Sequence, residues 1–279
     1  QISQYDKPLC TGGQVAFPCG DDTCSVRITR AHLEEDTGKL GHELPGGRAF
    51  DGSLVDLNRA GTPLLEVVTE PDLGTADEAV AFARHLHNLC TFLGVTGGIM
   101  QRGHMRFEPN INMIITSDDG VEHATPIVEI KNLNSFRALR GAIEHETTRQ
   151  VTAWQEDGIE MGPGRKTTRG WDDQAGVTLL QRVKEDAHDY RYFPDPDLVP
   201  LSIDDEWIEA VRASIPELPG ARRQRYHDDY GLDDKDAAAL TEHAEECFFF
   251  EACVEVTGDG AACAKWLLNA GAKRANERG

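Results

Sequence analysis

Alternation of apolar and polar side chains over His104–Ile115 constrains the fold of this chain more than any other feature. Apolar residues occupy odd-numbered positions, namely Met105, Phe107, Ile111, Met113 and Ile115. Polar residues occupy even-numbered positions, namely His104, Arg106, Glu108, Asn110 and Asn112. A period of two places the two sets on opposite faces of a β-strand. The pattern predicts a strand with one face in the core and the other facing solvent or lining a polar cleft.

The segment after this strand predicts a second strand and a covering helix. Asp118–Gly120 is a hairpin turn signal, so the chain should return along Thr125–Lys131, antiparallel to the first strand. Asn132–Ser135 supply residue types that cap helix N-termini. Apolar residues then recur at helical spacing: Phe136, Leu139, Ile143, Val151 and Trp154. Hairpins followed by a packed helix predict an α+β fold with an antiparallel sheet.

The sequence pattern changes near residue 205, which predicts two domains. Strand-like segments and glycine turns fill Val26–Leu201, whereas the sequence from Ser202 onward carries helix start and stop signals. We therefore expect a strand-rich domain over residues 1–204 and a helical domain over residues 205–279. The sequence contains no apolar run of about 18 residues, so a membrane-spanning helix is not expected.

Glu66 interrupts Pro63–Val68, an apolar segment with the pattern of a strand buried on both faces. An unpaired charge in such a place is costly, so the carboxylate needs a cation or an arginine partner. A structural ion pair with Arg59 is one interpretation, and a metal-binding or catalytic role is the other.

A second inward carboxylate is predicted on the strand that ends near Asp36. Its apolar residues change parity between Ile28 and Ala31, which indicates a β-bulge near residues 29–30. Continuing the second parity places Glu35 on the apolar side and Glu34 outside. Because Mg²⁺ binds through few carboxylates together with substrate phosphates, Glu35 and Glu66 predict a Mg²⁺ site. Glu108 and Glu129 are weaker candidates for the same cleft.

Basic side chains on the later strands suit phosphate binding. Arg182 and Lys184 share one face of the predicted strand Thr178–Lys184. The other candidates are Arg106, Lys131, Arg169 and Arg191. Such groups can clamp phosphoryl oxygens, and they can equally pair with the many acidic residues. The sequence contains no glycine-rich phosphate loop, which excludes a P-loop enzyme.

The formal charge of −20 bears on the choice of binding partners. Nucleic-acid binding usually needs a basic face, so the averaged surface of this chain should repel RNA. Either other segments or other proteins hold the RNA, or the protein does not contact RNA. A third interpretation is that the acidity reflects a salty habitat.

The seven cysteines are odd in number and scattered, which favours reduced thiols in a cytoplasm over a disulfide framework. Cys10, Cys19 and Cys24 are close in sequence, but their spacing matches no paired zinc motif. Ordinary thiols and a metal site both remain open for these three.

Several blocks resemble the B-subunit of the bacterial tRNA-dependent amidotransferase (GatB), in order along nearly the whole chain. They are Tyr5-Asp6 within QISQYDKP, Ile28–Asp36 (ITRAHLEED), Ser53–Asp72 (SLVDLNRAGTPLLEVVTEPD), Glu129–Phe136 (EIKNLNSF) and Asp189–Pro200 (DYRYFPDPDLVP). The resemblance implies a cradle-shaped domain related to glutamine synthetase and guanidino kinases, followed by helical and tail domains.

The resemblance also implies an activity. Members of this family phosphorylate the side-chain carboxylate of Glu-tRNA(Gln) or Asp-tRNA(Asn) with ATP and Mg²⁺, and ammonia from the amidase subunit displaces the phosphate. A third, small subunit wraps the pair. The family's Mg²⁺ ligands align with Glu35 and Glu66. Arg182 and Lys184 are then expected in catalysis, and Arg106, Glu108, Lys131 and Arg191 in nucleotide binding.

Departures from the family pattern keep other interpretations open. The family's first strand, with further metal ligands, is expected before residue 1, and its tRNA-binding tail after Gly279. The usual R-C-D-x-N segment reads Arg106–Asn110 with Glu108 in place of Asp. The alternatives are a Mg²⁺-dependent ATP:carboxylate kinase that acts on a free small molecule, and an inactive fragment.

Overall fold

The computed structural model describes residues 3–44, 48–183, 196–271, 273–274 and 277. Within these residues the chain forms two compact units. The first contains the described residues of Gln1–Ala79 and Glu185–Pro200, and the second contains those of Val80–Lys184 and Leu201–Gly279. In the described residues the last strand ends at Val183 and helices follow from Asp205, and these later helices share a unit with the second sheet. The division into domains at residues 1–204 and 205–279 stays a prediction.

The first unit is built around one long strand. In chain order its strands are β1 (Cys10–Thr11), β2 (Gln14–Cys19), β3 (Asp22–Glu35), β4 (Lys39–Leu44), β5 (Arg48–Asp56) and β6 (Pro63–Thr69). β3 pairs antiparallel with β2 in its first half and with β1 and β6 in its second half. Its register against β6 shifts between Ile28 and Arg30, which confirms the predicted bulge. β4 and β5 form a separate antiparallel pair.

The second unit contains a mixed sheet covered by a helix. Its elements are α1 (Ala76–Phe92), which begins in the first unit, β7 (Asn110–Ile111), β8 (Ile114–Thr116), β9 (Glu122–Ala124), β10 (Val128–Lys131), α2 (Phe136–Asp157), β11 (Thr167–Asp172) and β12 (Val177–Val183). The strand order is β12-β11-β10-β7, and β8 pairs with β9. Ser135 caps α2 as predicted, because its hydroxyl accepts the Ala138 N–H.

Two predictions for this sheet need correction. β10 and β11 are parallel, since α2 forms a crossover between them, so the sheet is not wholly antiparallel. The single strand expected over His104–Ile115 is also wrong, because only β7 and β8 of this segment enter ladders. Pro109 lacks an N–H, and the N–H of Met113 donates to the Thr125 hydroxyl instead of a strand. The antiparallel return is confirmed by the pairing of β10 with β7.

Helices complete the second unit: α3 (Asp205–Ser214), α4 (Pro219–Tyr230), α5 (Asp234–Leu240), α6 (Ala244–Thr257), α7 (Gly260–Trp266) and a π-helical turn at Leu267–Gly271. Their buried core includes Tyr226, Leu240, Cys247 and Phe250, and α1 contributes Phe92 to it. No described helix combines the length and apolarity that crossing a bilayer demands.

A polar contact joins α1 to the helices that follow the sheet. The Asn88 amide donates to the carbonyls of Thr241 and Glu242 at 3.1 and 2.9 Å. Arg223 donates to the Asn88 carbonyl oxygen and to the Thr241 hydroxyl, both at 2.8 Å. The Asn88 side chain of α1 therefore forms hydrogen bonds with two carbonyls at the end of α5 and with one arginine of α4.

Candidate metal centre and polar sheet face

Strands β3 and β6 of the first unit bring one histidine and two glutamates together. His32 lies opposite Glu66 in the ladder, and Glu34 lies opposite Leu64. Residues two apart on a strand share a face, and so do residues directly opposite each other. His32, Glu34 and Glu66 consequently project from the same face. One ligand atom from each lies within 4.8 Å of the other two.

His32 is fully buried, whereas the two carboxylates reach solvent to different degrees. Its Nε2 lies 3.3 Å from Oε1 of Glu34 and 3.2 Å from Oε2 of Glu66. The Glu34 side chain is 15% exposed and that of Glu66 is 48% exposed. Ser3 donates its hydroxyl to Oε1 of Glu34 at 2.6 Å. The cluster is fixed from inside by His32 and Ser3, and Glu66 forms its open side.

Only one nitrogen of His32 serves this cluster. Nδ1 is buried and has no hydrogen-bond partner among the described residues. The edge of the ring packs against Tyr5 with centroids 6.3 Å apart, and the Arg30 guanidinium lies 4.4 Å from the centre of the Tyr5 ring. These contacts hold the imidazole with Nε2 directed at both carboxylates.

The donor set fits a divalent cation. Carboxylate oxygens suit Mg²⁺ and Mn²⁺, and an imidazole nitrogen is accepted by several transition metals. Two carboxylates that meet on one face repel each other unless a positive charge lies between them. Glu34 and Glu66 would therefore hold the ion, with His32 either as a third ligand or as a hydrogen-bond donor to both.

The prediction that Glu35 and Glu66 share a face, with Glu34 outside, is wrong. Glu35 lies opposite Pro63 and continues the face of Leu33, which is 41% exposed. On this part of β3 the apolar residues do not mark the buried face. The fully buried residue of the stretch is His32, which lies on the opposite face from Leu33. A metal-binding role for Glu35 itself stays a prediction.

The surroundings of Glu66 also differ from the sequence prediction. β6 is not buried on both faces, because Leu65 is 46% exposed. Arg59, the alternative structural partner, instead pairs with Asp36 at 2.8 Å. The described partner of Glu66 is His32, a residue that sequence reasoning did not select. The spacing of His32 and Glu34 on one strand face is the signal that could have found it.

In the second unit a lysine and two glutamates lie on the sheet face opposite α2. Lys131 Nζ is 2.7 Å from Oε2 of Glu108 and 3.3 Å from Oε1 of Glu129. Glu129 is nearly buried and accepts the Thr168 hydroxyl at 3.3 Å. Burial opposes the charge of Lys131, but hydrogen bonding to Glu108 and both carboxylate charges outweigh it and raise its pKa. Lys131 therefore stays a cation on this face.

The remaining basic candidates are only partly described. Arg182 is exposed on β12, opposite Thr168 in the ladder. Arg106 is exposed in the extended segment before β7. Lys184 and Arg191 lie outside the described residues. The structure thus places Glu108, Lys131 and Arg182 on or beside one sheet, and their expected roles in catalysis and nucleotide binding stay predictions.

Sequence reasoning missed a buried carboxylate network beneath the same sheet. Glu146 of α2 is fully buried, and its carboxylate accepts hydrogen bonds from the side chains of Arg149 and Gln150. The Thr178 hydroxyl is a further donor, and Nε of Arg169 lies 3.2 Å from the carboxylate. Desolvation opposes ionisation, but the hydrogen bonds from Arg149, Thr178 and Gln150 outweigh it and lower the pKa of Glu146. The signal was a polar residue at an inward helical position after Leu139 and Ile143. The network ties α2 to β11 and β12.

Comparison of the sequence with known proteins shows the family of this chain. The profile described as the GatB/GatE catalytic domain matches residues 1–209. The chain belongs to the GatB/GatE catalytic domain family. The match includes β3 and β6 with His32, Glu34 and Glu66, and also β10 with Lys131.

Curated relatives are named as the B-subunit of aspartyl/glutamyl-tRNA(Asn/Gln) amidotransferase. The protein of Geobacter sulfurreducens is 44% identical over 280 residues, covering 100% of this chain and 57% of the relative. That of Laribacter hongkongensis is 46% identical over 278 residues, covering 99% and 56%. That of Rhodopirellula baltica is 44% identical over 271 residues, covering 96% and 54%. The chain therefore spans a little over half the length of these relatives.

Proposed function

We propose that this chain is part of the B-subunit of a tRNA-dependent amidotransferase that activates the side-chain carboxylate of Glu-tRNA(Gln), Asp-tRNA(Asn) or both. The supporting observation is the His32–Glu34–Glu66 cluster, which lies within the part of the chain that matches the family's catalytic domain. ATP would supply the phosphoryl group, and ammonia from an amidase subunit would replace it. The proposed partners are that amidase subunit, a third, small subunit and the misacylated tRNA, in the cytoplasm.

The cluster would hold the divalent ion that accompanies ATP. A bound Mg²⁺ would offset the charge of phosphate oxygens. His32 fixes the two carboxylates from the buried side, so little of their conformational freedom remains to be lost on binding. Ser3 holds Glu34 in the same way, while Glu66 stays accessible to a ligand from solvent.

Among the described residues of the second unit, Lys131 is the positively charged side chain that we propose contacts an anionic ligand. It is held by Glu108 and Glu129 and belongs to the family-like block Glu129–Phe136. A lysine positioned in this manner offers a fixed positive charge to phosphate or carboxylate oxygens. Arg106 and Arg182 are proposed as further contacts of such a ligand.

The test uses the full-length protein assembled with the other components of the amidotransferase. The rate of ATP-dependent conversion of Glu-tRNA(Gln) or Asp-tRNA(Asn) to the amide is measured for wild type, Glu34→Gln, Glu66→Gln and Glu35→Gln. We expect Glu34→Gln and Glu66→Gln to lose amide formation while glutamine hydrolysis continues. Wild-type rates in both variants would contradict the assignment of the cluster.

A second arm of the experiment addresses the alternative substrate. The complex is supplied with ATP and free glutamate or aspartate, without tRNA. We expect no phosphorylation of the free amino acid, because the relatives are named for aminoacyl-tRNA substrates. Turnover that is equal with and without tRNA would instead support a small-molecule carboxylate kinase.

A further inference from the structure

Two cysteines lie together at the turn that joins β2 and β3, in the first unit and apart from the glutamate cluster. Gly20 and Asp21 form the two-residue loop, and Cys19 lies opposite Asp22. Gly20 has a φ of +63°, the left-handed conformation that such a hairpin turn requires. Phe17 lies opposite Cys24, so Cys19 and Cys24 are diagonal neighbours on one face of the hairpin.

The strand register thus brings the two thiols next to each other beside the turn. Hydrogen bonding to the Cys19 sulfur, and then desolvation, raise the pKa of the Cys24 thiol, and the charges of Glu78 and Asp22 act in the same direction. Both thiols are partly accessible to solvent. The pair is thus a dithiol in a negative local potential, which attracts cations and repels anionic thiol reagents.

Diagonal geometry favours a bridging atom over a direct sulfur–sulfur bond. Diagonal neighbours in an antiparallel pair have Cα atoms roughly 7–8 Å apart, whereas a disulfide usually needs about 4.4–6.8 Å. A thiophilic metal bound at about 2.3 Å from each sulfur spans the larger distance without moving the strands.

Cys10, the third cysteine near this hairpin in sequence, takes no part. It lies opposite Ala31, nine positions along β3 from Asp22, which is the partner of Cys19. At about 3.3 Å per residue the separation is on the order of 30 Å. The grouping of Cys10 with Cys19 and Cys24 that the sequence suggests is therefore absent from the fold, and Cys10 becomes a matched control.

From this placement we infer that Cys19 and Cys24 form a two-sulfur binding site for a soft, thiophilic cation. Thiolates are the preferred ligands of such ions. Two protons leave the thiols as two metal–sulfur bonds form, so no oxidant or reductant is required. Water completes the coordination shell, with Asp22 and Glu78 contributing charge.

The test titrates the reduced chain with Cd²⁺ and records the thiolate-to-metal charge-transfer absorption in the ultraviolet. We expect saturation at one ion per chain. Cys19→Ser and Cys24→Ser should each remove most of the signal and weaken binding by at least about tenfold. The double variant should lose no more than either single one, because two sulfurs act as one site. Cys10→Ser should retain the full signal.

Two further measurements separate loss of metal binding from misfolding and from oxidation of the thiols. Far-ultraviolet circular dichroism verifies that each variant is folded, and Cys24→Ala repeats the test with a different side chain. Differential alkylation after equilibration in a glutathione buffer should find both thiols free. The inference would be overturned if the charge-transfer signal survived in both serine variants, or if Cys10→Ser lost it equally. A Cys19–Cys24 disulfide in the glutathione buffer would also overturn it.

Discussion

His32 lies directly opposite Glu66 across the β3–β6 ladder, with its Nε2 3.2 Å from Oε2 of the glutamate. The pairing joins a fully buried imidazole to a carboxylate that is half exposed. Because alternation places Glu34 on the same face, the imidazole also reaches a second carboxylate. Three donor groups thus meet on one face of a two-strand ladder, and the neighbouring Glu35 is excluded from that face.

Metal binding should distinguish the two adjacent glutamates. Mn²⁺ accepts both oxygen and nitrogen ligands and reports binding through its electron paramagnetic resonance signal. We expect Glu34→Gln and Glu66→Gln to weaken Mn²⁺ binding to this chain by about tenfold or more, since each removes a charged ligand. Glu35→Gln is the matched control and should bind as wild type does. Weaker binding in Glu35→Gln than in Glu34→Gln would place the ion elsewhere.

Replacement of Glu146 should destabilise the second unit. Glu146→Ala leaves Arg149 and Arg169 without their buried carboxylate, and removing one partner of a buried pair costs about 3–5 kcal/mol. The free energy of unfolding is measured by urea titration. Glu144→Ala, at an exposed position of the same helix α2, should change it by less than about 1 kcal/mol. Equal effects would show that the network contributes little.

The same carboxylate should make stability depend on pH. The pKa of Glu146 is lowered in the folded chain, so its contribution is fully present above the unfolded-state pKa. That contribution is lost as the pH falls through the folded-state pKa. We therefore expect the stability difference between wild type and Glu146→Gln to shrink as urea titrations move from neutral to acidic pH. A difference that grows on acidification would contradict this sign.

Asp72 should titrate at unusually low pH. The guanidinium of Arg27, and then its backbone N–H, donate to this carboxylate and lower its pKa to about 2. A carboxyl-carbon NMR titration of the wild type checks this value. In Arg27→Gln the pKa should rise but stay below the usual Asp value, because the backbone donor remains. Lys7→Gln, which removes an exposed cation of the same unit, should leave the Asp72 titration unchanged.

Asn88 should hold the later helices against α1. In Asn88→Ala two carbonyls and the Arg223 side chain lose a partner, which should cost about 1–3 kcal/mol of stability. Hydrogen exchange should accelerate at α5 and at the start of α6 before it does in the sheet. Asn269→Ala removes an exposed side chain with one helical hydrogen bond and should have little effect. Uniform acceleration over the whole unit would contradict this local role.

Local sequence patterns determined much of the second unit. The turn at Asp118–Gly120, the cap at Ser135 and the apolar spacing of α2 depend on neighbours within a few residues, and the structure confirms each of them. The bulge between Ile28 and Arg30 was equally visible, because a change of parity is a local property. The crossover between β10 and β11 was not, since strand direction in a sheet is set by pairing across the length of α2.

At the candidate metal centre, local sequence patterns did not predict which side chains share a strand face. The sequence by itself predicted that Glu66 and a glutamate at the end of β3 project into one cleft, because both lie in strand-like segments and family-like blocks. Only the tertiary structure decided that the glutamate is Glu34 and that His32 lies between them, because burial on β3 follows its packing and not its apolar parity. The same holds for Cys19 and Cys24, since a strand register decides which of three cysteines in sequence proximity become neighbours in space.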